Sequence, residues 1–166
     1  CLITSIIGTF FVKLGNNKNV MNALYKGFIV SALASLVILW PVTDYVIGFN
    51  NEYTINDKTF NGMDLYYCGV IGLVITGLLI WITEYYTGTS YRPVKSVALS
   101  STTGHGTNVI QGLAISMEAT AIPALVIVAG ILITNTIAGL FGIAIAVTTM
   151  LALAGMVLSL IHISEP

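Results

Sequence analysis

The feature that most constrains this chain is the run from Ala119 to Ile163, in which 45 consecutive residues carry no formal charge. As a straight helix it would be about 68 Å long, because each residue adds about 1.5 Å. The hydrocarbon core of a bilayer is only about 30 Å thick. The run must therefore turn back on itself, and Thr134-Asn135-Thr136 is the predicted position of that turn.

Composition places the whole chain in the membrane class. Hydrophobic residues make up 56% of the sequence and charged residues 8%, against roughly 25% charged residues in soluble domains. The net charge of -1 gives no sign of nucleic-acid binding. Cys1 and Cys68 indicate no disulfide, because a thiol among apolar residues behaves as a small hydrophobe.

Other apolar runs predict further transmembrane helices. They are Gly27 to Gly48, which Pro41 should kink or end, and Leu65 to Thr83. The run from Leu2 to Val12 is too short to span alone and resembles the end of a helix whose beginning is missing. We therefore predict an all-α fold, a polytopic transmembrane helix bundle with about four full spans and a partial N-terminal one.

The charges of the connecting loops predict the orientation of these spans. The connection at residues 13–26 has three lysines and that at residues 84–105 has two bases, whereas residues 50–64 have one base. By the positive-inside rule, the first two connections face the cytoplasm and the third faces outward. Small residues recur every four positions in two places, which predicts close helix packing. One ladder is Ala138, Gly142, Ala146 and Ala154, broken only by Met150, and the other is Gly104, Asn108, Gly112 and Ser116.

Most of the chain's chemically versatile residues lie between Ile82 and Pro123. Glu84, beside two tyrosines, is either an acid at the headgroup level or a buried carboxylate that takes part in ion coupling. Glu118 should face other helices, because a carboxylate facing lipid is costly. Asn108 and Gln111 are its candidate partners, and a structural pairing and a role in ion translocation remain alternatives.

Two further features of this stretch have competing interpretations. Arg92 and Lys95, around Pro93 in a predicted turn, are either topology anchors near anionic headgroups or a positive potential for a polyanion. The segment Thr103-Gly104-His105-Gly106-Thr107-Asn108 resembles a phosphate cradle at a helix N-terminus. It equally fits a simple start to the next helix, capped by one of its threonines.

No catalytic constellation emerges from the sequence. A single histidine without neighbouring Cys, His or acidic residues does not make a metal site. No cluster of carboxylates is suited to magnesium.

Five blocks follow one another in this part of the chain: Thr83-Glu84-Tyr85-Tyr86-Thr87-Gly88, Tyr91-Arg92-Pro93-Val94-Lys95-Ser96, Thr103-Gly104-His105-Gly106-Thr107-Asn108-Val109-Ile110-Gln111-Gly112-Leu113-Ala114, Ser116-Met117-Glu118-Ala119-Thr120-Ala121 with Pro123, and Gly139-Leu140-Phe141-Gly142-Ile143-Ala144. Together and in this order, the blocks resemble the membrane-bound, ion-pumping inorganic pyrophosphatases. The resemblance implies a larger homodimeric pump of the cell (inner) membrane, which hydrolyses cytoplasmic magnesium-pyrophosphate and moves H⁺ or Na⁺ outward.

The resemblance also implies what this chain lacks. The family's aspartate-rich and lysine-containing motifs, which bind pyrophosphate and Mg²⁺, match no residue here, so we expect no catalytic, cofactor or metal residue in it and no hydrolysis by the fragment alone. Neither H⁺ over Na⁺ nor a potassium dependence is predicted. Residues 1–157 form the predicted pump portion, and residues 158–166 resemble translated adapter sequence. The alternative is a non-enzymatic segment of a secondary transporter or a small membrane subunit.

Overall fold

A computed structural model describes residues 20–55 and 58–164 of the chain. The partial span at residues 2–12, most of the connection at 13–26, and the end of the predicted tail lie outside these residues. The elements in chain order are α1 (Val20–Val46), β1 (Glu52–Ile55), β2 (Lys58–Asn61), α2 (Gly62–Thr87), α3 (Arg92–Ser100) and α4 (His105–Ser164). The predicted helical class is confirmed, with one small antiparallel hairpin added.

Three helical stretches of the described residues are long and apolar enough to cross a membrane: Tyr25–Val46, Gly62–Ser100 and His105–Leu151. This is one fewer than the four full spans predicted. The difference arises because the two parts of α4, which lie on either side of an internal break, are counted together as one stretch.

The break in α4 lies at Ala138 and Gly139, whose φ/ψ angles are -130°/20° and 60°/-147°. The predicted turn at Thr134-Asn135-Thr136 is therefore wrong in position, since those residues are still helical. The chain does fold back at the break. A Cβ at Gly142 would lie 2.8 Å from the carbonyl oxygen of Thr134, whereas eight residues of straight helix would separate the two by about 12 Å.

Pro41 does not end α1, which continues to Val46. A proline inside a helix removes one backbone hydrogen bond. Nearby, the hydroxyl of Thr43 donates to the carbonyl oxygen of Leu39 at 2.8 Å.

Contacts divide the chain into two units, which are described separately. In the first unit, comprising the described residues up to Thr76 and those from Leu132, α2 packs against α1 on one side and against the second part of α4 on the other. A Cβ at Gly69 would lie 2.7 Å from Leu39, and one at Gly72 would lie 2.5 Å from the carbonyl oxygen of Ala146. At Gly72 the close atom belongs to the backbone, so only glycine permits the approach, whereas the Leu39 side chain near Gly69 can move.

Three members of the small-residue ladder, Ala138, Gly142 and Ala146, pack closely as predicted. Ala138 and Ala146 are buried, at 2% and 5% exposure, and a Cβ at Gly142 would lie 2.9 Å from the Sγ of Cys68. Gly142 lies beside Cys68, and four residues later in both helices Ala146 lies beside Gly72. This part of α4 therefore runs in the same direction as α2. The second ladder differs, since a Cβ at Gly112 would meet no atom within 4 Å.

The hairpin is an element that we did not predict. β1 pairs with β2 through four residue pairs, from Glu52 with Asn61 to Ile55 with Lys58. The rings of Phe60 and Phe141 stack with their centroids 5.9 Å apart. The Nζ of Lys58 donates to the carbonyl oxygens of Asn135 and Thr136 at 2.5 and 3.1 Å. The hairpin therefore holds the last helical turn before the break in α4.

We predict that Gly139→Ala destabilises the protein by about 1–3 kcal/mol, because its φ/ψ pair is one that only glycine adopts without strain. Lack of space is not the cause, since the nearest atom to an added Cβ is the Cδ of Lys58 at 3.6 Å. The thermal midpoint of the detergent-solubilised protein measures the change. Gly106→Ala is the control, because Gly106 is helical and an added Cβ there meets no atom within 4 Å. Equal midpoints for both variants would contradict the account of the break.

Candidate functional site

The polar stretch between Ile82 and Pro123 folds into the end of α2, the short helix α3 and the beginning of α4. Residues 82–123 belong to the second unit, Gly77–Ile131. Their contacts can therefore be described together.

Arg92 and Lys95 lie on a helix, and the turn predicted for them is wrong. α3 begins at Arg92 after an extended Tyr91 (φ -92°, ψ 160°), with Pro93 in its first turn. Proline is tolerated there because the first backbone N–H groups of a helix have no partner within it. Both cationic side chains are exposed, whereas Pro93 is buried.

The segment Thr103–Asn108 forms the junction between α3 and α4. Gly104 has a φ of 139°, in a region that favours glycine, and α4 begins at the exposed His105. The hydroxyl of Thr103 donates to the carbonyl oxygen of Ser100 at 2.7 Å, and that of Thr107 donates to the carbonyl oxygen of Gly104 at 2.8 Å. The two hydroxyl oxygens are 2.8 Å apart. These bonds tie the end of α3 to the first turn of α4.

A row of polar residues on α4 contacts the elements that precede it. The Nε2 of Gln111 donates to the Oγ of Ser96 at 2.7 Å, and the Oγ of Ser100 approaches the Oδ1 of Asn108 at 3.4 Å. One face of α4 carries Asn108, Gln111 and Glu118, because these residues are separated by three and seven positions. Asn108 and Gln111, the partners considered for Glu118, therefore have serine partners on α3.

The contact of Glu118 is with Tyr86. The Tyr86 Oη lies 3.5 Å from the Glu118 Oε1, at the long limit for a hydrogen bond. Glu118 is exposed, and Glu84 is half-buried. Glu84 lies two positions before Tyr86 on α2, so its side chain leaves the helix about 200° away. Tyr86, and not Glu84, therefore meets the carboxylate of Glu118.

A mostly apolar cavity of about 350 Å³ adjoins this contact. Its lining includes Tyr86, Pro93, Val94, Val97, Asn108 and Ile115. The cavity thus lies among the end of α2, one face of α3 and the first turns of α4.

Residues suited to metal binding are not brought together in the part of the chain that the structure describes. No three His, Cys, Asp or Glu side chains among residues 20–55 and 58–164 lie close enough to hold a metal ion.

Two contacts of the site were missed by sequence reasoning. The sequence predicts no contact for either Tyr86 or Ser96. A tyrosine in the last turn of a span and a serine between two cations are both common in membrane proteins. Their partners lie 32 and 15 residues later in the chain, and no local pattern connects such positions.

Comparison with known proteins finds a family match along almost the whole chain. The model of the family described as inorganic H⁺ pyrophosphatase matches residues 1–162. This range extends past Val157, and the domain boundary after that residue stays a prediction.

Named relatives agree with this match. The chain is 59% identical over 160 residues to pyrophosphate-energized proton pump 2 of Mycoplana dimorpha, covering 96% of this chain and 77% of the relative. It is 55% identical over 141 residues to the pyrophosphate-energized proton pump of Anaplasma marginale, covering 85% of this chain and 100% of that relative. Identity is 42% over 167 residues to the K(+)-insensitive pyrophosphate-energized proton pump of Methanosarcina mazei, covering 96% of this chain but 23% of the relative.

The match to the family model covers both units, the hairpin and the break in α4. Apolar helices long enough to cross a bilayer also agree with an ion-pumping protein of the membrane. The chain is an integral membrane protein that belongs to the inorganic H⁺ pyrophosphatase family.

Proposed function

We propose that this chain is a section of a pyrophosphate-energised proton pump, which couples hydrolysis of cytoplasmic magnesium-pyrophosphate to outward transport of H⁺. The observation that carries the proposal is the family match over residues 1–162. H⁺ is preferred over Na⁺ because the relatives at 54–59% identity are named as proton pumps. The alternative of a secondary-transporter segment is set aside, since it would belong to another family.

The proposal places pyrophosphate hydrolysis outside this section. The chain covers 23% of the Methanosarcina mazei relative, which leaves ample length for a hydrolytic centre elsewhere in a parent pump. In such a centre Mg²⁺ would neutralise the phosphate oxygens of the substrate. Here the term parent pump means the complete protein of which this chain is a section.

The proposed orientation follows from the loop charges. Residues 13–26 and 84–105 face the cytoplasm, and the hairpin faces outward, as the positive-inside rule predicts. Many large apolar side chains of α4 are exposed, among them Val109, Leu113, Met117 and Leu125. In the proposed pump, lipid, further helices or the second subunit of a homodimer cover them.

Glu84 and Glu118 are the candidates for coupling within this section. Glu118 has a contact that joins separate helices, because its carboxylate meets the phenol of Tyr86 at the end of α2. A change in the charge of Glu118 would alter this contact and, through it, the packing of α2 against α4. Such a link fits a role in transmitting conformational change better than a role in hydrolysis.

The proposed function predicts that the parent pump, reconstituted in vesicles with its cytoplasmic face outward, acidifies the lumen when magnesium-pyrophosphate is added. A pH-sensitive dye trapped inside the vesicles measures the change. Magnesium without pyrophosphate is the control and should give no change. Pyrophosphate-driven uptake of ²²Na⁺ without acidification would contradict the proton assignment.

For the coupling role, we predict that Glu118→Gln and Glu84→Gln in the parent pump lower the ratio of proton uptake to phosphate release by about two- to fivefold. The estimate for Glu118 rests on a single weak hydrogen bond being worth about 0.5–1 kcal/mol. Tyr86→Phe should share the effect of Glu118→Gln, because it removes the hydrogen bond that Glu118→Gln weakens by taking the charge from the acceptor.

Glu52→Gln is the matched control, since Glu52 is an exposed acid of the hairpin with no place in the proposed site. It should leave the ratio unchanged. If Glu118→Gln and Tyr86→Phe lower uptake and hydrolysis in equal proportion, or lower neither, the contact is structural.

A further inference from the structure

Lys58 of the hairpin contacts the backbone at the end of the first part of α4. Its Nζ donates to the carbonyl oxygens of Asn135 and Thr136, and both residues are among the last four before the break. The last carbonyl groups of a helix have no N–H partner within it, and they carry a partial negative charge. The ammonium group therefore supplies hydrogen-bond donors and a positive charge where the helix supplies neither.

The stem of Lys58 and the neighbouring Phe60 extend this contact across the break. A Cβ at Gly139 would lie 3.6 Å from the Cδ of Lys58, and the ring of Phe60 stacks on that of Phe141. Lys58 and Phe60 are two positions apart on β2, so their side chains leave the same face of the strand. That face contacts α4 before the break through Lys58 and after the break through Phe60.

The base of the hairpin is fixed to the helices that it connects. The Oη of Tyr53 donates to the carbonyl oxygen of Ile47, next to the end of α1, at 2.8 Å. A Cβ at Gly62 would lie 2.5 Å from the carbonyl oxygen of Gly48, and α2 begins at Gly62, directly after β2. Lys58 therefore connects the break in α4 to the beginning of α2.

We propose that Lys58 is a positioning residue of the pump, which sets the position of the second part of α4 relative to α2 by holding the carbonyl groups before the break. The second part of α4 lies beside α2 at Gly142 and Ala146. A shift between these helices would pull Lys58 away from its acceptors, because the hairpin is continuous with α2. Helix shifts of about 1–2 Å are a common means of transmitting conformational change, so the bond should affect how much transport accompanies hydrolysis.

The link to transport rests on the proposed function, and Lys58→Met in the parent pump tests it. This variant removes the donors and keeps an unbranched side chain. We expect the ratio of proton uptake to phosphate release to fall about threefold, as for the loss of a modest, solvent-exposed hydrogen bond. Vesicles with a trapped pH-sensitive dye and an assay of released phosphate measure the ratio.

Lys58→Arg should restore the ratio, because a guanidinium group keeps both the charge and the donors. A cavity of about 180 Å³, whose lining includes Lys58, Asn135 and Gly139, has room for the larger group. Thr59→Met is the matched control, since Thr59 is exposed and its side chain leaves the opposite face of β2. It should leave the ratio unchanged.

Several results would overturn the positioning role. They are an equal loss of uptake and hydrolysis in Lys58→Met, no loss of either, an equal impairment in Lys58→Arg, and an equal impairment in Thr59→Met. The first would indicate a general loss of structure, and the last two would show that the ammonium contact is not what matters.

Hydrogen exchange of residues 132–142, measured by mass spectrometry on the detergent-purified parent pump, tests the contact without transport. Lys58→Met should speed exchange in this segment, whereas Lys58→Arg and Thr59→Met should not. Unchanged exchange in Lys58→Met would overturn the role of Lys58 at the break. A wild-type parent pump that moves no protons would instead contradict the proposed function and leave the exchange result standing, so the two failures are distinguishable.

Discussion

The structure depends on the need of every backbone polar group inside a bilayer to find a partner within the protein. Continuous helices meet this need, and hydroxyl groups within them bond to their own helix, as those of Thr76 and Thr83 do with the carbonyl oxygens of Gly72 and Leu79. The break in α4 is where the backbone leaves the helical conformation. There Lys58 of the hairpin donates to two carbonyl oxygens. A short β-hairpin outside the helices thus supports a change of direction between them.

Close packing of α2 depends on a second constraint, the small gain that apolar side chains obtain from meeting one another in lipid. Gly69 and Gly72 remove side chains where α1 and the second part of α4 approach α2. Phe60, Leu65, Cys68 and Ala138 form a buried cluster nearby, at the beginning of α2, which directly follows the hairpin. The hairpin, the break and the helix contacts therefore occur together, and a change at any one of them acts on the others.

The helices were predictable because long apolar runs exceed what a soluble fold needs, and the packing of Gly142 and Ala146 was predictable from their spacing. The hairpin was missed, although Tyr53, Ile55 and Phe60 are typical strand residues, because polar residues around them suggested a loop. The break was placed too early, since Thr134-Asn135-Thr136 is the most polar group of its run, whereas the backbone breaks at Gly139, which tolerates a positive φ. Tyr86 as the partner of Glu118 depends on tertiary contact, which local patterns do not encode.

The central claim is that this chain supplies membrane helices and a coupling contact to a pyrophosphate-energised pump, while pyrophosphate is hydrolysed elsewhere in the parent pump. The polar contacts around Glu118 and on the same face of α4 join helices to one another. The most direct test is to measure magnesium-dependent phosphate release from pyrophosphate in membranes containing these 166 residues and in membranes containing the parent pump. The account predicts background release from the chain alone and clear release from the parent. Robust hydrolysis by the chain alone would contradict it.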